Sequence, residues 1–164
     1  MPKEITYPYI EAGWVIHYVG ARSKYMRMAK EFARSHALDK TMPGAAVVVK
    51  NGKVIGIGAN GSDHHAKHGC RRVELGCKTG EGYELCEGCH PKNHSEASAL
   101  TNALAHHQDT RGARLYLWGH WWVCRSCWKR IVEAGITKVI LQENSEVLFN
   151  KEHPDNIVGR QFED

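Results

Sequence analysis

The sequence lacks any long hydrophobic run. Its longest apolar stretch, residues 45–49, is far shorter than the roughly 20 residues that a membrane-spanning helix needs. Residues 1–4 also lack the apolar core of a secretion signal. These absences argue against a membrane protein and a secreted protein, and we expect a soluble protein of the cytoplasm.

The chain also lacks internal repeats, low-complexity stretches and any linker rich in proline or serine. A length of 164 residues with 42% hydrophobic content suits one domain that buries one compact core. We therefore predict a single domain over residues 1–164.

Positive charge is in excess but forms no basic block. The formal net charge is +4, and the lysines and arginines are spread along the chain. Such an excess attracts anions, whereas a long nucleic acid is usually bound by clustered basic residues. The composition therefore favours a small phosphorylated ligand over a nucleic acid.

Residue periodicity predicts secondary structure in the order α-β-β-α-β-α-β. Helices are predicted at residues 23–36, 93 to about 107 and 124–134, and strands at 45–49, 54–57, 115–117 and 138–141. Asn51-Gly52 between the first two strands is a strong hairpin signal, and Asn93 is a candidate helix cap. This order implies a mixed sheet with helices on its faces.

Six cysteines stand out in so small a protein. Three disulfides are one explanation, but without a secretion signal a reducing compartment is expected, where clustered cysteine and histidine usually bind metal. Four of them are Cys70, Cys77, Cys86 and Cys89, the number that a closed tetrahedral zinc site requires. Any one could be replaced as ligand by His64, His65, His68 or His90. Free buried thiols are the alternative, but they would leave a loop of this length without anything to order it.

The other two cysteines belong to a second pattern. His94-Ser95-Glu96 is followed, thirty positions after His94, by Cys124-Arg125-Ser126-Cys127, and both pieces begin predicted helices. One histidine and two cysteines leave the fourth tetrahedral position of a zinc ion open for water, as in catalytic sites. Thiolates at i and i+3 face the same side of a first helical turn, where the helix N-terminus favours their charge.

Glu96 is a candidate proton carrier beside this site. Zinc lowers the pKa of bound water from 15.7 to about 7, and Glu96 is two residues from a ligand. His-x-Glu with a later Cys-x-x-Cys is the signature of zinc deaminases that attack cytosine C4 or adenine C6. The alternatives are a structural zinc or redox pair at the cysteines, and a capping box between Asn93 and Glu96.

From about residue 24 to residue 141 the sequence resembles the deoxycytidylate deaminases of the cytidine/deoxycytidylate deaminase superfamily. Besides the two motifs, residues 58–62 are similar to the family's Gly-Tyr-Asn-Gly-Ser segment. The Cys/His-rich insert at about residues 62–92 is similar to one in which many members hold a structural zinc. The resemblance implies an α/β fold with three α/β/α layers around a central mixed five-stranded sheet, and hydrolysis of dCMP to dUMP and ammonia.

The resemblance also assigns roles to single residues. Catalytic zinc would be held by His94, Cys124 and Cys127 with Glu96 as proton shuttle, and a second, structural zinc by the four cysteines of the insert. Asn60 would bond the 3′-hydroxyl of the sugar, and the backbone N–H of Ser95 would face the pyrimidine O2.

Several further residues are candidates for substrate contacts, and each of them also suits an ordinary structural role. Trp121 or Trp122 could stack on the base, although both also suit a core or a subunit interface. Candidate phosphate donors are Lys40, Arg71, Arg72 and Arg125, each of which also suits a solvated surface. His120 is interpreted as an ordinary hydrogen-bonded histidine.

The sequence departs from the family at two places near the cysteines. Val123 stands where the family has proline, and the segment at residues 118–122 is about two residues longer than usual. Ser95 also replaces the commoner alanine, although only its backbone N–H is implied in substrate binding. These changes affect the geometry of the wall that faces the base.

Other deaminases remain as alternatives. They act on free cytidine or deoxycytidine, a 5-modified dCMP, a tRNA adenosine or a riboflavin precursor; the lack of an appended reductase domain argues against the last. A different class is a non-catalytic zinc module, which would not need Glu96. The resemblance further implies a homo-oligomer, often a hexamer, and regulation by a nucleoside triphosphate.

Overall fold

A computed structural model describes residues 9–77, 83–87 and 90–163 of the chain. Its strands are β1 (Ile16–Val19), β2 (Ala45–Lys50), β3 (Lys53–Ala59), β4 (Arg114–Trp118) and β5 (Lys138–Gln142). They form one sheet in the order β1-β5-β4-β2-β3. The pairs β1 with β5 and β5 with β4 are parallel, whereas β2 is antiparallel to both β4 and β3. The mixed five-stranded sheet is therefore confirmed.

Helices cover both faces of this sheet. The longer ones are α1 (Lys24–His36), α4 (Ser95–Ala105) and α5 (Arg125–Glu133). Shorter elements are α2 (Asp63–His68), α3 (Arg71–Glu74), α6 (Ser145–Leu148) and the 3-10 turns Tyr83–Leu85 and Pro91–Asn93. No helix within the described ranges is both long and apolar enough to span a membrane.

Side chains that alternate between the two faces of the sheet form two separate hydrophobic cores. In β2, Ala46 and Val48 pack in the core that contains α4 and α5, whereas Val47 and Val49 pack in the core that contains α1. Successive side chains of a strand point to opposite faces, so each face of the sheet buries its own helix layer. The result is the expected three-layer α/β/α arrangement.

The predicted hairpin between β2 and β3 is confirmed, and its turn explains why Asn-Gly occurs at residues 51 and 52. Asn51 and Gly52 have φ of 52° and 73°, both in the left-handed region. Two such residues make the type I′ turn, which matches the twist of the flanking strands.

One local prediction was wrong, and one strand was missed. Helix α4 begins at Ser95 with His94 at its N-cap, because Asn93 ends a 3-10 turn and donates its side-chain amide to the carbonyl oxygen of Glu87 at 2.8 Å. Asn93 is thus tied to the insert and forms no capping box with Glu96. Strand β1 was not predicted, since its residues are partly exposed and show no clear apolar alternation.

Candidate active site

Two helix N-termini bring the predicted metal ligands together. His94 is the N-cap of α4 and Cys124 is the N-cap of α5, where its Sγ accepts a hydrogen bond from the N–H of Cys127 at 3.4 Å. Cys127 follows in the first turn of α5. The unpaired N–H groups of a helix N-terminus favour negative charge, so this position suits thiolates.

The geometry of this cluster fits a tetrahedral zinc ion. Nδ1 of His94 lies 3.4 Å from Sγ of Cys124 and 3.6 Å from Sγ of Cys127. Zinc with bonds of about 2.3 Å to sulfur and 2.0–2.1 Å to nitrogen would separate those atoms by about 3.6 Å at the tetrahedral angle. Across residues 9–77, 83–87 and 90–163, these three side chains form the one group of potential ligands with all donor atoms within 4.8 Å of one another.

The two thiols share a hydrogen bond that favours ionisation of only one of them. A hydrogen bond from Cys127, reinforced by His94 and opposed by burial, lowers the pKa of Cys124. The same hydrogen bond, burial and the charge of Glu96 raise the pKa of Cys127 well above its usual value. The second thiolate therefore needs a positive charge at the cluster, which a zinc ion would supply.

Glu96 lies beside the cluster without belonging to it. It is in the first turn of α4, is 4% exposed and lines a cavity that reaches His94 and Cys124. Its charge contributes to the raised pKa of Cys127. A carboxylate in this position can exchange protons with a molecule in the cavity while the cluster holds the metal.

The cavity encloses about 870 Å³ of space, including its open mouth. Its walls come from segments that are distant in the sequence. Besides the cluster and Glu96, its lining includes Asp39, Met42, Asn60, Arg72, Tyr83, His120, Trp121, Trp122, Phe149 and Lys151.

The insert supplies an aromatic wall next to the cluster. The Tyr83 ring meets the His94 ring edge-on, with centroids 5.0 Å apart, and lies 6.2 Å from the Trp122 ring at an interplanar angle of 23°. The guanidinium of Arg72 sits over Tyr83, 4.4 Å from its centroid. Trp122 thus borders the cavity, and Tyr83 and Arg72 of the insert lie next to the predicted metal ligand His94.

Asn60 also lines the cavity, but its side chain is engaged by the protein. Its Oδ1 accepts from the N–H of Gly44 at 2.9 Å. Its Nδ2 donates to the carbonyl oxygen of Met42 at 2.7 Å and lies 3.2 Å from Nε2 of His120. A sugar hydroxyl that accepted a hydrogen bond from this amide would have to displace one of these partners.

The longer segment before Cys124 packs His120 against the loop that precedes β2. Gly119 has φ of +96°, and a β-carbon there would lie 2.3 Å from the carbonyl oxygen of Pro43. A β-carbon on Gly44 would lie 2.7 Å from the His120 ring. Burial, with the nearby charge of His94, lowers the pKa of His120 to about 4, so its imidazole is neutral at physiological pH. Val123, at the family's proline position, is 1% exposed in the core.

Three other predicted contact residues do not contribute a side chain to the cavity lining. Lys40 donates from Nζ to the carbonyl oxygen of Ala37 at 2.7 Å, and Arg125 is exposed at the start of α5. Ser95 is fully buried, and its hydroxyl has no hydrogen-bond partner in the described part of the chain. None of these three side chains is part of the described lining.

The predicted second metal site lies only partly within the described residues. Cys70 is the N-cap of α3, Cys77 follows that helix, and Cys86 is 2% exposed after a 3-10 turn. In the described ranges these three do not form a close group like that of His94. Cys89 lies outside the described residues, so the insert zinc stays a prediction.

Six lining residues had no predicted role: Asp39, Met42, Tyr83, His120, Phe149 and Lys151. Arg72 was predicted only as one of several phosphate candidates. Its neighbour Arg71 instead forms an ion pair with Glu74 at 3.0 Å. No local motif marks Phe149 or Lys151, because both follow the last predicted strand. Phe149 packs in the core on the α1 side of the sheet, and both residues line the cavity.

Known proteins supply an independent comparison. A family model described as the cytidine and deoxycytidylate deaminase zinc-binding region matches residues 20–143. This range contains His94, Glu96, Cys124 and Cys127. No curated protein matches the chain in sequence.

Solved structures are similar over most of the chain. The dCMP deaminase from cyanophage S-TIM5, in complex with dCMP and dUMP, is 26% identical, with 73% of this chain and 80% of that chain covered and a TM-score of 0.50. A structure from a study of A-to-I editing by tRNA:A34 deaminases is 25% identical, with 73% and 75% covered and a TM-score of 0.46. A diaminohydroxyphosphoribosylaminopyrimidine deaminase/reductase from Thermotoga maritima is 22% identical, with 73% and 29% covered and a TM-score of 0.45. Because the family model matches residues 20–143 of this 164-residue chain, the chain belongs to the cytidine and deoxycytidylate deaminase family of zinc-binding proteins.

Proposed function

We propose that this protein hydrolyses dCMP to dUMP and ammonia. The observation that carries the proposal is the buried carboxylate of Glu96, which lines the same cavity as His94 and Cys124 of the three-ligand cluster. The family membership supports a hydrolytic deaminase, and the cyanophage enzyme to which the chain is similar was solved with dCMP and dUMP.

Different residues of the cavity would bind the metal and transfer protons. His94, Cys124 and Cys127 would hold a zinc ion, which would lower the pKa of a water molecule at its open position to about 7. Glu96 takes a proton from the attacking water and passes it to N3 of the base as the carbon–oxygen bond forms at C4. Glu96 then carries the remaining hydroxyl proton to the amino group, so that C4 becomes a carbonyl, the carbon–nitrogen bond breaks and ammonia leaves.

Two cationic side chains support a phosphorylated substrate. Arg72 comes from the insert and Lys151 from the segment after α6, and both line the cavity. A guanidinium and an ammonium group on one cavity suit a phosphate dianion, because hydrogen bonds between ionised partners are about twice as strong as neutral ones. Arg72 was among the phosphate candidates of the sequence, and Lys151 would take the place of Lys40 and Arg125, which do not line the cavity.

The deciding experiment measures ammonia release from matched substrates. Because a charge-assisted contact is worth about 1.5–3 kcal/mol, kcat/KM for dCMP should exceed that for deoxycytidine by roughly tenfold to a few hundredfold. Cytidine, 5-methyl-dCMP, 5-hydroxymethyl-dCMP and a tRNA anticodon stem with adenosine complete the set. Equal rates on dCMP and deoxycytidine, or a preference for the tRNA, would remove the dCMP assignment and leave a deaminase of another substrate.

We also propose a second, structural zinc in the insert, held by Cys70, Cys77, Cys86 and Cys89. The burial of Cys86 and the contact between the insert and the catalytic cavity support a fixed conformation there. Elemental analysis of the purified protein should then find about two zinc ions per chain, whereas one ion would leave only the catalytic site.

We further propose that the protein forms a homo-oligomer and responds to a nucleoside triphosphate. A second cavity supports the effector: basic side chains of and before α1 line it, and Phe149 borders both this cavity and the catalytic one. The basic residues are Arg22, Lys24, Arg27 and Lys30. Light scattering gives the subunit number. Rates at subsaturating dCMP with each deoxynucleoside triphosphate test the effector, and an Arg27→Ala variant should weaken the response.

A further inference from the structure

We infer that His120 is a substrate-binding residue whose Nδ1–H donates a hydrogen bond to an oxygen of the bound nucleotide, and that Asn60 positions it by fixing its tautomer. The identity of the nucleotide rests on the proposed function. The tautomer does not, because it follows from groups of the protein alone.

The orientation of the Asn60 amide is set by two backbone groups. The N–H of Gly44 can only donate, so the atom that accepts from it at 2.9 Å must be Oδ1. The carbonyl of Met42 can only accept, so the atom at 2.7 Å from it must be Nδ2. Amide orientation is normally assigned from such networks, and here both partners give the same answer.

This orientation determines the role of His120. Nδ2 of Asn60 carries two hydrogens; one goes to Met42, and the other is directed at Nε2 of His120, 3.2 Å away. Because Nδ2 has no acceptor capacity, Nε2 must accept and cannot carry a proton. A neutral imidazole protonated on one nitrogen then has its hydrogen on Nδ1, which becomes a donor.

The packing of the ring leaves Nδ1 on its far side. A β-carbon on Gly44 would lie 2.7 Å from both Cδ2 and Nε2, so that edge of the imidazole rests on the backbone. Nδ1 is the ring vertex opposite the Cδ2–Nε2 bond and points away from Gly44. The ring lines the cavity, and no group in the described part of the chain accepts a hydrogen bond from Nδ1.

This arrangement implies that His120, and not Asn60, donates the hydrogen bond to the substrate. Both hydrogens of the Asn60 amide are used within the protein, whereas the Nδ1 hydrogen of His120 is available in the same cavity. Because the proposed function assigns the phosphate oxygens to Arg72 and Lys151, the main acceptors left on a pyrimidine nucleotide are the sugar hydroxyl oxygens and the base carbonyl. His120 would bind one of these before and after the reaction, so its contribution should appear in KM.

The tautomer can be read directly in the zinc-loaded wild-type protein. Labelling with ¹⁵N-histidine distinguishes a protonated ring nitrogen from an unprotonated one by chemical shift, and the His120 signals are those that vanish in His120→Gln. We expect a protonated Nδ1 and an unprotonated Nε2, and a shift of the Nδ1–H signal when dUMP is added. A protonated Nε2, or a signal that dUMP leaves unchanged, would overturn the inference without requiring any variant to be active.

Two substitutions separate the ring nitrogens in kinetics. An asparagine amide N–H reaches about the position of Nδ1, whereas a glutamine amide reaches about that of Nε2. His120→Gln should therefore raise KM for dCMP roughly 2- to 12-fold with kcat changed less than about 2-fold, and His120→Asn should restore much of the loss. His17→Gln on the exposed edge strand is the matched control, and zinc content and Tm report on folding.

The acceptor is identified by repeating the comparison with 2′,3′-dideoxycytidine monophosphate. If the penalty of His120→Gln disappears with this substrate, Nδ1 binds the 3′-hydroxyl; if the penalty persists, it binds the base carbonyl. Equal KM for wild type, His120→Asn and His120→Gln in an active enzyme would overturn the inference and leave the proposed function standing. A wild-type protein that does not deaminate dCMP would overturn the proposed function, while the tautomer measurement would still decide the role of Asn60.

Discussion

Two parts of the cavity are built in different ways: the metal half, which holds the predicted zinc ligands, and the nucleotide half, named after the substrate proposed above. The metal half consists of His94 and Glu96 at the start of one helix and Cys124 and Cys127 at the start of another. The nucleotide half draws single side chains from the hairpin, the insert, the loop before Cys124 and the segment after α6.

This difference separates shared chemistry from specificity. Within a helical turn, residues two or three positions apart have a fixed relation, so the helix itself sets the metal geometry. The nucleotide half depends on tertiary packing of loops, which tolerate insertion and substitution more readily. Changes in the metal half should therefore abolish turnover, and changes in the nucleotide half should alter mainly the affinity for substrate.

The largest effect is expected from removing a metal ligand. His94→Ala should lose both the catalytic zinc and all measurable deamination, because two thiolates without the imidazole leave a buried pair of like charges. Elemental analysis and an ammonia assay on the same sample check this result. His17→Ala on the exposed edge of the sheet is the control, and a zinc-free His94→Ala variant that still deaminates would contradict the assignment.

Glu96→Gln should have the next largest effect. The amide keeps the shape of the carboxylate but cannot take up a proton, so turnover should fall by about 10²–10⁴-fold while zinc content stays at the wild-type value. The comparison with His94→Ala separates proton transfer from metal binding within the same half of the cavity. Near-normal turnover in Glu96→Gln would require another proton carrier.

The metal half could be predicted from the sequence because its determinants are local. The i, i+3 cysteines and the His-x-Glu pair appear at the helix starts that periodicity had suggested, and the hairpin was marked by Asn51-Gly52. The prediction was wrong for the N-cap of α4, since the side chain of Asn93 bonds to the insert. That competing contact is tertiary and has no signal in the local sequence.

The nucleotide half could be predicted only in part. Asn60 and Trp122 were found through a segment similarity and an aromatic cluster, and both line the cavity. Lys40 precedes a strand that leads towards the site, but its ammonium is bound by the carbonyl of Ala37 instead. Lys151 lines the cavity from a position after the last predicted strand. Only the path of the folded chain brings that position to the cavity.

A smaller effect is expected from the cationic residues of the nucleotide half. Arg72→Gln and Lys151→Gln should each lower kcat/KM for dCMP by about 5- to 100-fold through KM, because each removes a charge-assisted contact with the phosphate. Deoxycytidine is the internal control, since it has no phosphate and its kinetics should change little.

Matched charge removals test the same idea outside the cavity. Lys40→Gln and Arg125→Gln remove the same unit of charge from side chains that do not line the cavity, and both should leave KM within about 2-fold of wild type. Equal losses in all four variants would mean that net charge, and not a specific contact, attracts the nucleotide.

The smallest effect on catalysis should come from the insert cysteines. Cys86→Ser should reduce the zinc content from about two ions per chain to one and lower Tm by roughly 5–10 °C, because a metal that closes a long loop stabilises the folded state. KM for dCMP should rise, since Arg72 and Tyr83 reach the cavity from this insert, whereas kcat should change little because His94, Glu96, Cys124 and Cys127 lie outside it. Ser126→Ala, an exposed position between the catalytic cysteines, is the control for a polar change near a metal. If Cys86→Ser lowered kcat as strongly as Glu96→Gln while KM stayed constant, the two halves of the cavity would not be independent, and the insert would have to support the metal site itself.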